Sequence, residues 1–281
     1  MVFGFLVRLS RVRITVAYAV IVTCISTVLL ELGPQVQDRV IRHTSTNLHN
    51  LSHGHVGTLL GSAFVIDAGP IYVWLPGLVC LLAVAELTWR SSRLVTAFVA
   101  GHIGATLLVA AGLTAAVELG WLSGASVTRA TDVGMSYGAA AVLGSLTAAI
   151  PRRWRPAWIG GWLAVGVAVV TVGKDFTDVG HAMALLLGML VSTRFGRAPG
   201  WTPPRLVLLG LGAAFGYLVL ASTSIVIATA CGVVGALVFE VVARWRAASI
   251  EGDGTGEQLR VDVRERERDR FVHAHRSSPG T

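Results

Sequence analysis

Charge is scarce in this chain: only 14 % of its 281 residues are Asp, Glu, Lys or Arg, against about 25 % in an average soluble domain. That deficit excludes an ordinary water-soluble globular fold. Lysine is almost missing, since Lys174 is the one lysine among 23 basic residues. With the richness in Ala, Val and Gly, this suggests a high-GC bacterial genome. Cysteine is limited to Cys24, Cys80 and Cys231, each inside an apolar run, which excludes a disulfide framework and a cysteine metal cluster.

What the chain has instead is hydrophobic residues, 53 % of the total, with a mean hydropathy of +0.66. They come in uncharged runs at roughly 14–30, 71–85, 94–117, 133–150, 156–173, 179–193, 206–221 and 224–239. Runs of about 17 or more residues without charge read as membrane-spanning helices. The expectation is an all-α polytopic membrane helix bundle with eight spans. The first run follows Arg8, Arg11 and Arg13 and continues into Glu31-Leu32-Gly33-Pro34 with no small-residue cleavage site. It reads as an uncleaved first helix and not as a signal peptide. Val56 to Ile66 is apolar but too short to cross a core that takes about 20 helical residues; it reads as an interfacial or re-entrant segment in a long loop.

The net charge of +7 would point to nucleic acid in a soluble chain. Here the arginines sit at the ends of apolar runs, where they orient helices, so no nucleic-acid partner is expected. With the N-terminus inside, the inner segments hold thirteen arginines: Arg8, Arg11, Arg13, Arg90, Arg93, Arg152, Arg153, Arg155, Arg194, Arg197, Arg205, Arg244 and Arg246. The outer loops hold four basic residues, Arg39, Arg42, Arg129 and Lys174. Because cytoplasmic loops retain Lys and Arg, both termini are expected in the cytoplasm of a cell with this protein in its plasma membrane. The organisation read from these runs is a cytoplasmic N-terminus (1–13), a membrane core (14–195), two further spans (196–246) and a charged, solvated cytoplasmic tail, disordered or partly helical (247–281).

Ionisable or nucleophilic groups inside a bilayer are costly, and each is a functional hypothesis. At about 1.5 Å per helical residue, Ser136 lies about 5 Å and His181 about 6 Å below the outer surface, while His102 lies about 12 Å above the inner one. Ser136 and His181 therefore share a level, and His102 lies deeper than Ser136. A serine hydroxyl needs a neighbouring base to become a nucleophile, and histidine is the usual one. Small residues at Gly134, Gly138 and Ala141 on the fourth span, and at Gly180, Ala184 and Gly188 on the sixth, form faces that let two helices approach. The bland alternatives are a packing serine and a structural membrane histidine. Gly134-Met135-Ser136-Tyr137-Gly138 also fits the GxSxG elbow of soluble hydrolases, but that elbow needs a strand-turn-helix context.

These residues resemble the rhomboid family of intramembrane serine proteases, most closely a divergent rhomboid-like branch of high-GC bacteria. Gly134-Met135-Ser136 matches the GxS motif of the fourth core helix, and His181, Ala184 and Gly188 match the sixth-helix histidine with small residues at +3 and +7. Ala83-Val84-Ala85-Glu86, followed by the basic turn at Arg90 and Arg93, looks similar to the end of the second rhomboid helix. The resemblance covers roughly 14–193 and implies a six-helix core with two C-terminal helices added. It implies Ser136 as nucleophile and His181 as general base, acting without a cofactor or metal on transmembrane protein segments.

Three departures stand beside it. Tyr137 follows the serine where rhomboids usually carry Gly, the second span has no HxxxN to hold an oxyanion, and two spans follow the sixth. The outer loop offers substitute oxyanion donors, Asn50 and His55 first, with Asn47 and His53 nearby. His49, His53 and His55 also permit a metal reading; with no acidic or thiol partner near them, a solvated loop is the blander account. A second function class therefore stays open: a catalytically silent rhomboid-like scaffold that binds client helices in the bilayer.

Overall fold

Glycine and proline set the first boundaries. The computed structural model describes residues 10–46, 50, 54, 57–65, 71–121, 134–173, 175–221 and 225–249. Arg8, Asn47, His49, His53, His55, Arg129, Lys174 and the tail beyond 249 lie outside these. After a 3-10 turn at Ser10–Val12, α1 (Arg13–Leu32) runs until Gly33, whose φ of 86° no helix accommodates. Pro34 then opens α2 (Pro34–Thr44), its fixed φ suiting a first helical turn. α2 is polar on most of its surface and buries Ile41 beside Leu29 and Val65. It is an amphipathic helix within the segment expected as a long outer loop; its short length and high polarity set it apart from the apolar runs.

The short apolar segment within 56–66 folds as α3 (Thr58–Gly61) and a 3-10 turn at Ser62–Phe64. α4 (Ile71–Glu118) is two helical arms joined at Arg90, whose φ of 69° and ψ of 164° are non-helical. At about 1.5 Å per residue its 48 residues are far longer than one crossing, and the break at Arg90 divides them into two arms. Then follow α5 (Ser136–Ser145), extended by a 3-10 turn at Leu146–Ala149, α6 (Arg155–Val172), α7 (Phe176–Ser192), α8 (Pro203–Ala221) and α9 (Ile225–Ser249).

Among the described residues each apolar run falls mainly on one of these helices, the two arms of α4 taking two of them. Among the described residues five helices are long and apolar enough to cross a membrane: α1 with its 3-10 turn, α4, α6, α8 and α9. The molecule is an all-α polytopic helix bundle.

α5 is its centre: every residue from Tyr137 to Ser145 is buried. Glycine permits this. A side chain at Gly101 of α4 would run into Ala141, one at Gly144 into the backbone of Leu185 and Met189, and one at Gly188 into the carbonyl of Ala141. Three helices thus meet nearly backbone to backbone, the arrangement expected where lipid leaves dispersion and close packing to hold helices together. α8 lies on the first arm of α4, where Phe215 covers Gly77 and Gly212 rests on Leu81. α9 lies on α6 through Gly160, Gly161, Gly232 and Gly235.

Glu86 ties the N-terminal side together. Its buried carboxylate accepts from the backbone N–H of Ile14 (3.1 Å) and Thr15 (2.9 Å), from the Thr15 hydroxyl (2.7 Å) and from the Ser91 hydroxyl (2.6 Å). The first N–H groups of α1 have no intrahelical acceptor and carry partial positive charge. A carboxylate from the neighbouring helix answers both needs.

Candidate functional site

Gly134 has φ 121°, which only glycine adopts without strain, and its N–H donates to the carbonyl of Ser62 at 2.8 Å. The helix therefore starts at Ser136 and not before. This corrects the reading of Gly134, Gly138 and Ala141 as one helix face, because Gly134 stands ahead of the helix in a conformation that cannot continue it. Gly138 faces Phe98 of α4, while Ala141 meets Gly188. On α7, Gly180 faces Tyr137 and Gly188 meets α5, with Ala184 fully buried between them in sequence.

Ser136, half-buried, is the first residue of α5. The opening turn of a helix holds N–H groups with no intrahelical acceptor, so the hydroxyl stands beside amide donors. The next residue, Tyr137, lies with its ring edge-on to that of His181, the centroids 5.2 Å apart. Close passage of Tyr137 over Gly180 allows this contact. The neighbour of Ser136 and the histidine of α7 thus lie at one level of the bundle.

His181 is 7 % exposed, and neither ring nitrogen has a hydrogen-bond partner among the described residues. Ser136 and His181 are not hydrogen-bonded to each other. A buried polar group left unsatisfied costs about 1–3 kcal/mol. One turn earlier on α7, Asp178 is buried beside Gly173, with Oδ2 unpartnered.

A different serine and histidine are joined. Ser62 Oγ and His102 Nε2 are 3.1 Å apart, and the Thr46 hydroxyl donates to Ser62 Oγ at 3.1 Å. Ser62 Oγ thus joins Thr46 to His102, and which of Ser62 and His102 donates follows the imidazole tautomer. Ser62 is 1 % exposed and His102 4 %, so the pair is sealed. Tyr18 donates to the carbonyl of Ala63 at 2.6 Å, closing the same turn from α1. Ser62 was not among the residues singled out from sequence. The available signal was a hydroxyl within an apolar stretch too short to span.

Asn50, expected as an oxyanion donor, has its side-chain N–H2 on the carbonyls of Ser45 (2.7 Å) and Arg42 (3.2 Å). It closes the C-terminal end of α2, where carbonyls lack helical partners. His55, its companion, is outside the described residues. Among the described residues no three of His, Cys, Asp and Glu gather in a way that would hold a metal.

Compared with known protein families, the chain matches the rhomboid-like proteins over residues 10–196, well over half of its length. No match is found among curated proteins or among solved structures.

Proposed function

This chain belongs to the rhomboid-like protein family, and from that premise we propose that it is an intramembrane serine protease acting through Ser136 and His181. The observation that carries the reading is the buried His181 ring, without a hydrogen-bond partner among the described residues and held against Tyr137 one residue from Ser136. Ser136 attacks the scissile carbonyl while His181 takes its proton and later returns it to the leaving amine. Backbone N–H groups of the first turn of α5 receive the developing oxyanion charge, a role worth about 10²–10³ in rate for a single donor. They stand in for the HxxxN that the second span lacks. The substrates are transmembrane or juxtamembrane protein segments. The arginine asymmetry of the loops supports a multi-pass protein of the bacterial plasma membrane with cytoplasmic termini and the dyad near the outer face. Reporter fusions after Arg155 and Arg246 are expected to be cytoplasmic, and a fusion near Lys174 external.

The test is labelling of the purified protein in detergent or liposomes with a fluorophosphonate, which needs a base-activated hydroxyl. Wild type is expected to label and Ser136→Ala to stay blank. A second reading, a silent scaffold for client helices, draws on one observation: the serine–histidine hydrogen bond among the described residues is the sealed Ser62–His102 pair, not Ser136–His181. Equal, weak labelling of wild type and Ser136→Ala would decide for the scaffold.

A further inference from the structure

At the end of the bundle opposite Ser136, helices α5, α6 and α7 part around a cavity of about 980 Å³. α5 starts at Ser136 and its 3-10 extension reaches the cavity at Thr147; α7 carries His181 near its start and reaches the cavity at Leu186. The walls are apolar, from Ile159 and Leu163 of α6 and Leu186 and Leu190 of α7. Among the described residues the lining carries three arginines, Arg152, Arg155 and Arg197, and no Asp or Glu.

The arginines differ in what they already hold. The Arg155 guanidinium donates to the carbonyls of Ala148 (2.8 Å) and Ile150 (3.0 Å), closing the end of the α5 segment. Arg152 and Arg197 are exposed and form no ion pair or hydrogen bond with the described residues. Trp154, between Arg152 and Arg155, is also exposed, and a tryptophan at the end of an apolar helix marks the headgroup level of a bilayer. The Ser192 and Thr193 hydroxyls on the lining donate to the carbonyls of Met189 and Leu190. A peptide backbone would find few free polar partners there. A ligand with an anionic head and an apolar body meets both parts of the lining.

We propose that this cavity binds an anionic phospholipid, its phosphate on Arg152 and Arg197 and its acyl portion between α6 and α7. Basic pockets between membrane helices hold such headgroups by charge, while the hydrocarbon satisfies the apolar wall. The inference depends on the membrane placement of the bundle and not on the chemistry of Ser136.

The experiment follows the thermal midpoint of full-length protein in neutral detergent as phosphatidylglycerol, phosphatidylcholine or inorganic phosphate is added. Phosphatidylglycerol is expected to raise it saturably, and the other two to leave it unchanged. The double variant Arg152→Gln/Arg197→Gln should need about thirtyfold more phosphatidylglycerol, about fivefold for each arginine. Leu163→Trp, which fills the wall and keeps the arginines, should also weaken the response, while Arg194→Gln, off the lining, should retain it. The proposal is overturned if the double variant responds like wild type, if Leu163→Trp does, or if inorganic phosphate gives the same rise. Should the double variant not fold, Leu163→Trp and the phosphate arm decide. Fluorophosphonate labelling of Ser136 is unchanged in Arg152→Gln/Arg197→Gln, so failure here and failure of the protease reading are distinguishable.

Discussion

Two serine–histidine pairs occupy this bundle under opposite conditions. Ser62 and His102 are hydrogen-bonded, backed by Thr46 and shut off from solvent. Ser136 and His181 have no hydrogen bond between them, yet the serine is half-buried and opens a helix, and neither ring nitrogen of the histidine has a hydrogen-bond partner among the described residues. A joined, sealed pair stabilises a fold, because breaking it strands polar atoms in a medium that cannot solvate them, although His102 Nδ1 has no partner among the described residues. An unsatisfied histidine costs stability, and the protease reading gives that cost a use. A hydrogen bond in the resting state does not by itself mark a reactive pair, since catalytic hydrogen bonds are often long or poorly aligned before substrate arrives.

Exchanging histidines breaks the comparison most sharply. His181→Ala is expected to slow fluorophosphonate labelling by about 10²–10⁴, the usual contribution of a general base. His102→Ala should leave labelling within about threefold and lower stability by about 2 kcal/mol, as the buried Ser62 hydroxyl loses its histidine partner. Labelling rates and denaturation in detergent, measured on both variants, would show the two losses falling on different residues. Equal labelling losses would remove the distinction.

Glu86→Ala comes next. It removes four hydrogen bonds to a charged acceptor, three from the start of α1 and one from Ser91 of α4, and should cost about 3 kcal/mol, since bonds to charged groups are worth about 1.5–3 kcal/mol each and solvent or neighbours recover part. The damage belongs to the α1 side, where Tyr18 closes the turn of Ser62, so stability falls before labelling does in a thermal series. Ser62→Ala is milder, about 1–2 kcal/mol with labelling retained. The smallest effect has the opposite sign: Arg90→Gly should stabilise by about 1 kcal/mol, because φ 69° with ψ 164° strains any residue but glycine. A loss of stability there would mean that the Arg90 side chain holds the turn by contacts that outweigh its backbone strain.

The helices were legible because a long uncharged run has few other uses in a protein, and the family was legible because Ser136, His181, Ala184 and Gly188 recur at fixed offsets within those helices. The start of α5 was not: nothing in Gly134-Met135-Ser136 states that Gly134 takes φ 121°, and a run of apolar letters reads as helix straight through it. Nor was the Ser62–His102 bond, which joins residues forty positions apart through a tertiary contact with no periodicity behind it. α2 escaped for the converse reason, being polar enough to pass for loop. Asn50 shows the limit of nearness in sequence as a guide, since a flexible amide next to orphan carbonyls closes the nearest helix end.

The most direct test of the central claim is to locate the fluorophosphonate adduct by mass spectrometry of peptides from the labelled protein, alongside Ser136→Ala and Ser62→Ala. The account predicts a single adduct on Ser136, absent in Ser136→Ala and undiminished in Ser62→Ala. An adduct on Ser62, or none on either serine in a folded protein, would contradict it.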